Sequence, residues 1–126
     1  MARIEGRTDN APVPVATYSQ AVTIGSIISV AGQAGFDPAT GELAGPDVGS
    51  QTIQTFKNIE AILASADATL DDVIRVDVFL SSLSDFAAMN DRYATVFTAP
   101  YPTRTTVGVE LPPGMKVEIT ALAVKS

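Results

Sequence analysis

In the segment PYPTRTTVGVELPPGMKVEITALAV, residues 100–124, two strand-like stretches flank a Pro-Pro-Gly turn, and each holds one charged side chain of interest: Arg104 and Glu118. A guanidinium forks onto a carboxylate through two parallel hydrogen bonds, and a nearby carboxylate can hold a water or carry a proton. The pair therefore reads as a small anion site with acid–base capacity. On spacing it reads more readily as a plain cross-strand ion pair, worth ~0.2–1 kcal/mol if exposed. Spacing alone leaves both open.

The composition narrows the chemistry. The chain has no His and no Cys, which removes the commonest metal ligand, the commonest general base and every Ser-His or Cys-His arrangement. Acid–base work near pH 7 must then use a tuned carboxylate, a Tyr, a Lys, a backbone group or bound water. Asp71-Asp72 has no third ligand nearby in the sequence and reads as a turn, not a metal site. With a net charge of −6 and no basic run, the electrostatic footprint of a nucleic-acid binder is missing. No signal-like N-terminus and no membrane-length apolar run occur, so a cytoplasmic protein is the default expectation.

The elements that must position the pair follow from periodicity. Residues 1–10 are expected to form a flexible lead-in, with IEGR (4–7) given no part in the fold, and residues 11–126 a single domain. AVTIG and SIISVAG read as a hairpin meeting at Gly25-Ser26, the alternative being one continuous strand with a bulge. FDPATGELAGPDVG (36–49) is turn chemistry throughout. From about Ser50 to Ala66, Ile53, Phe56, Ile59 and Ile62 or Leu63 make one apolar helix face, capped by Asp47 or Ser50. LDDVIRVDVFLSS (70–82) reads as a strand buried on both faces. Ser84 is expected to cap a second helix whose stripe is Phe86, Met89, Tyr93 and Val96 or Phe97, ended by Pro100 and Pro102. The order β-β-α-β-α-β-β predicts an α+β fold: a mixed β-sheet with two helices packed on one face and the other face left to an oligomer contact.

Strand alternation sorts the last two strands. Thr105, Val107, Val109 and Leu111 share one face and Arg104, Thr106 and Gly108 the other; Val117, Ile119, Ala121 and Ala123 oppose Lys116, Glu118 and Thr120. The odd-numbered sets are expected to face the core. A hairpin centred between Leu111 and Pro113 places residue 118, 120 or 122 opposite Arg104. It puts Arg104 and Glu118 on one face whenever its centre falls on a residue.

The blocks YSQAV (18–22), AGQAGFDPATGEL (31–43), QTIQTFKNIEAIL (51–63), DDVIRVDVFL (71–80), DFAAMNDRYATVF (85–97), RTTVGVELPPG (104–114) and VEITALAV (117–124) occur in the order seen in the RidA (YjgF-type) family. From about Ala11 to the C-terminus, the chain resembles that family. The resemblance implies a chorismate-mutase-like homotrimer with clefts between subunits and no metal or organic cofactor. It implies hydrolysis of enamines and imines such as 2-iminopropanoate and 2-iminobutanoate to 2-oxo acids and ammonia. By the same resemblance, Arg104 grips the substrate carboxylate and Glu118 positions the hydrolytic water. Tyr18, Gly32, Asn90 and Thr106 then line the substrate, Thr106 through its backbone where some members have Cys. Ala16-Thr17 replace the Gly-Pro common before Tyr-Ser-Gln, and the loop before Arg104 is short. Three other functions compete: a non-catalytic trimer that binds a 2-oxo acid and regulates a partner, a nuclease, disfavoured by the acidic charge, and a holdase needing only exposed apolar surface.

Overall fold

The computed structural model describes residues 2–126 as one six-stranded sheet with two helices against it. In chain order the elements are β1 (Ile4–Gly6), β2 (Ala21–Ile24), β3 (Ile27–Ala34), α1 (Val48–Ser65), β4 (Val73–Leu80), α2 (Phe86–Val96), β5 (Thr103–Gly108) and β6 (Val117–Val124). The sheet runs β1-β2-β3-β6-β4-β5, antiparallel except for the parallel pair β4–β5 joined through α2. The expected α+β architecture, a mixed sheet with two helices, is present.

Local chemistry explains the helices. Asp47 caps α1 by accepting from the Ser50 amide at 2.9 Å, which holds its carboxyl below the usual carboxylate range. Phe56, Ile59, Ile62 and Leu63 then bury one face of α1. They pack on Val76, Val78 and Leu80 of β4 and Val117, Ile119 and Ala123 of β6, all buried, in one apolar cluster. Each of the larger side chains removed from water contributes about 1.5–3 kcal/mol. Helix α2 starts one turn differently from expectation. Ser82, not Ser84, caps a short 3-10 turn over Leu83–Asp85, and Asp85 heads α2 with no side-chain cap bond.

Three further expectations are corrected. Ile4–Gly6, given no part in the fold, adds a strand to the sheet edge beside β2. Strand β4 is buried on one face only: Val76, Val78 and Leu80 are inside, while Ile74 is 50% exposed and Phe79 half-buried. Most important, β5 and β6 do not form a hairpin. Strand β6 lies between β3 and β4, and β5 lies beyond β4 at the edge.

The reason is apolar content. Strand β6 alternates Val117, Ile119, Ala121 and Ala123 into the core and can sit at the centre of the sheet. The segment Thr103-Arg104-Thr105-Thr106 lacks such a face and is left at an edge. The register Val76↔Arg104 and Val78↔Thr106 then turns the even-numbered residues of β5 toward the helices. The odd-numbered Val107, expected inside, is 38% exposed. The odd-numbered reading holds for β6 and reverses for β5. On the helix-free face, exposed Ile27, Ile74 and Val107 accompany half-buried Leu122 and Val124.

Candidate functional site

Arg104 lies on the helix side of the sheet beneath α2. Phe86, Asn90 and Tyr93, spaced by four and then three residues, fall on one face of that helix. Asn90 Oδ1 accepts a 2.8 Å hydrogen bond from Arg104 Nη1. The guanidinium carbon stands 4.5 Å from the centre of the Tyr93 ring and 5.3 Å from that of Phe86. Tyr93 is buried and braced by Phe56 edge-on at 5.6 Å and by Phe97 at 5.1 Å. Burial pushes the Tyr93 phenol above its ordinary 10.0, the Arg104 charge pulling the other way, and its hydroxyl is buried without a hydrogen-bond partner. A cavity of about 470 Å³ opens beside Arg104, Asn90 and Tyr93, walled also by Ala94, Tyr101 and Pro102, with Phe86 outside its lining. Thr106 follows on the same face, half-buried.

The anticipated cross-strand ion pair is absent. Among the described residues the one ion pair within 4 Å is Arg75–Asp77, at 3.8 Å. Arg104 thus faces a cavity with one neutral acceptor and two aromatic rings, an arrangement that retains its charge for an external anion.

Glu118 stands elsewhere. It is in register with Phe79 on one side and Ala34 on the other, and alternation turns it to the helix-free face. The same-face reading for Arg104 and Glu118 is therefore overturned: they occupy opposite faces of one sheet, because β4 separates their strands and the β5 register sets its face independently. Strand β3 carries a bulge between Val30 and Gln33, and Gly32 sits within it. A Cβ on Gly32 would come 2.7 Å from Glu118 Oε1, so only glycine lets that carboxylate rest against the β3 backbone. Tyr18, Gly32, Glu118, Met115, Val13 and Val15 line a second cavity of about 300 Å³.

Buried amides shape this second wall. From α1, Gln51 Nε2 donates to the carbonyls of Gly45 (2.9 Å) and Gly114 (3.0 Å), while its Oε1 accepts from the Lys116 amide at 2.8 Å. These bonds set the Pro-Pro-Gly turn that presents Met115. Gln20 Oε1 accepts from the Thr8 amide at 2.8 Å, and its Nε2 donates to the carbonyls of Thr8 (3.0 Å) and Pro12 (2.9 Å). That pins the segment bearing Val13 and Val15. Asn58 Nδ2 donates to Ala34 O and Phe36 O and anchors the end of β3.

The six residues singled out in the sequence thus fall into two groups: Arg104, Asn90 and Thr106 on one face, and Tyr18, Gly32 and Glu118 on the other. Sequence reasoning missed the ring roles of Phe86 and Tyr93, taken only as core, and the amides Gln20, Gln51 and Asn58. The 86/90/93 spacing was a readable signal, as was the presence of Gln51 and Asn58 on a core-facing stretch of helix. Gln20 offered none.

Comparison with known proteins fits this geometry. The family model described as Endoribonuclease L-PSP matches residues 8–125. The chain is 45% identical over 119 residues to a RutC family protein of Pyrococcus horikoshii, covering 94% of each chain. It is 39% identical over 122 residues to the 2-iminobutanoate/2-iminopropanoate deaminase of Salmonella typhimurium, again covering 94% of each. The crystal structure of RidA from the Antarctic bacterium Psychrobacter superposes with a TM-score of 0.92 at 43% identity, over 97% of this chain and 99% of that one. A match along nearly the whole chain, carried by both sequence and fold, places this protein in the RidA (YjgF-type) family.

Proposed function

We propose that the protein is a cytoplasmic homotrimer that hydrolyses reactive enamines and imines of the 2-iminopropanoate and 2-iminobutanoate type to 2-oxo acids and ammonia. The observation that carries this reading is the Arg104 guanidinium, hydrogen-bonded to Asn90 and facing a cavity with no carboxylate in ion-pairing range. It is supported by the deaminase name of a 39% identical relative.

In this reading the two half-sites belong to one reaction and are joined between copies. Arg104 of one subunit holds the substrate carboxylate, and Tyr18, Gly32 and Glu118 of a neighbour close the cleft from across the interface. Holding the carboxylate orients the C=N bond and turns a loose encounter into a positioned one. Water held by Glu118 attacks C2. The new C–O bond forms as the C=N π electrons pass to nitrogen, which takes up a proton. The resulting carbinolamine loses its hydroxyl proton, its C–N bond breaks with the electron pair leaving on nitrogen, and protonated nitrogen departs as ammonia. An enamine first accepts a proton on carbon to reach the imine. Glu118, directly or through its water, carries these protons.

The test is release of 2-oxo acid from imines generated in situ by an amino-acid oxidase. Wild type accelerates release, and Arg104→Ala and Glu118→Ala each fall to the spontaneous rate with the fold retained. Random mixing of these two inactive variants restores about a quarter of the activity if each site draws Arg104 and Glu118 from different subunits of a closed ring. A wild-type rate in Arg104→Ala would sink the assignment. Binding of 2-oxobutanoate without any acceleration would favour the regulatory binding module instead.

A further inference from the structure

We propose that Phe86 and Tyr93 are positioning residues: their ring faces hold the Arg104 guanidinium plane so that the donors Asn90 leaves free point into the cavity toward a ligand carboxylate. The inference rests on Arg104 as the carboxylate anchor but not on hydrolysis.

Geometry carries it first. An arginine side chain is long and loses considerable rotamer freedom when fixed, and its plane must be set before it can grip a carboxylate with two parallel bonds. One hydrogen bond, from Nη1 to Asn90 Oδ1, holds one corner and leaves rotation about that contact. The Tyr93 and Phe86 rings, with centres 4.5 Å and 5.3 Å from the guanidinium carbon, supply the remaining restraint. Attraction to a ring face engages the cation without consuming any of its N–H donors. A carboxylate in the same place would occupy those donors and cancel the charge.

The setting of the rings is the second argument. Tyr93 is fixed from behind by Phe56 and Phe97, so its position is tied to the core through α1. Phe86 is different: at 40% exposed it adds little to core packing, and its contact with Arg104 gives a reason for a large aromatic side chain there. That exposure also makes it the right probe, since removing its ring leaves the core intact.

The experiment measures the dissociation constant of 2-oxobutanoate by calorimetry for wild type, Phe86→Leu and Phe86→Trp, with subunit assembly and melting temperature followed alongside. Phe86→Leu weakens binding about fivefold and Phe86→Trp restores it to near wild type, while assembly and melting are unchanged. In an Arg104→Lys background the Phe86→Leu effect shrinks, because a flexible ammonium has no plane to set. Equal binding by Phe86→Leu and wild type overturns the proposal, as does failure of Phe86→Trp to rescue, or no detectable wild-type binding at millimolar 2-oxobutanoate. If the binding pattern appears but no imine is hydrolysed, the clamp stands and the deaminase reading falls. If imines are hydrolysed and Phe86→Leu binds normally, only the clamp falls.

Discussion

The two cavities are built by different means. The Arg104 side is assembled from regular elements: one helix face presents Phe86, Asn90 and Tyr93, and one strand register presents Arg104 to them. The Glu118 side is assembled from loops. Its walls come from the lead-in segment, the β3 bulge and the Pro-Pro-Gly turn, which depend on Gln20, Gln51, Asn58 and a glycine that makes room for a carboxylate. A cation that must keep its charge is held by rings and a neutral amide. The Glu118 carboxylate sits against backbone in a wall whose shape rests on buried polar bonds.

The largest effect should come from breaking the loop-built side at its centre. Gln51→Leu strands two carbonyls and one amide near the core and should lower stability by about 2–4 kcal/mol. Denaturant titration measures the loss, and hydrogen exchange should locate it in residues 112–116 while α2 and β5 stay protected. Uniform exchange across both sides would show that they are not separable in this way.

Next is Asn90→Ala on the regular side. It removes a charge-assisted hydrogen bond to the guanidinium and should weaken 2-oxobutanoate binding by about tenfold, with melting nearly unchanged because the residue is half-buried and off the core stripe. An equal loss of stability and binding would mean that Asn90 is mainly structural.

Gly32→Ala sharpens the contrast from the other direction. Its new Cβ would approach Glu118 Oε1 to 2.7 Å, and the end of a flexible side chain can move aside, so the fold should survive. In the proposed reaction, moving that carboxylate also shifts the water it would hold. Turnover of imines should fall about tenfold while 2-oxobutanoate affinity, assigned to Arg104 in the proposed function, changes little. A parallel loss of affinity would place Glu118 in ligand binding itself.

The smallest effect is a pH dependence at Tyr93. Its folded-state phenol is raised above 10.0, chiefly by burial. The unfolded chain therefore releases that proton first as pH rises. The stabilisation it confers is complete below the unfolded value and is lost progressively as pH climbs toward and through the raised folded one. Tyr93→Phe should flatten the alkaline slope of stability above about pH 10. An unchanged slope would show that the phenol does not contribute to it.

Much of this molecule was legible in its residues, and the places where reading failed share a cause. The α1 face, its Asp47 cap and the Gly25-Ser26 hairpin follow from contacts within a few residues, and they occur as expected. The same is true of the inward face of β6. The face of β5 was misread because alternation sorts residues into two sets without saying which set is inside. That depended on β5 pairing parallel with β4 and not with its sequence neighbour β6. Phe86 was read as core because helical periodicity cannot distinguish a residue facing the sheet from one facing an edge-strand arginine. Gln20, Gln51 and Asn58 went unnoticed because their partners lie far along the chain.

By itself, then, the sequence determined what short-range forces determine: both helices and five of the six strands, which chemistry a chain without His or Cys has left, and which family's blocks it carries. The tertiary structure alone decided the strand order, and with it the separation of Arg104 from Glu118 onto opposite faces. Strand order is settled by which segment can best fill the centre of the sheet, a competition among all strands at once. The alternation in β6 won the centre, the Thr- and Arg-rich β5 was left at the edge, and two residues that looked like partners along the chain came to line separate cavities on opposite faces of the sheet.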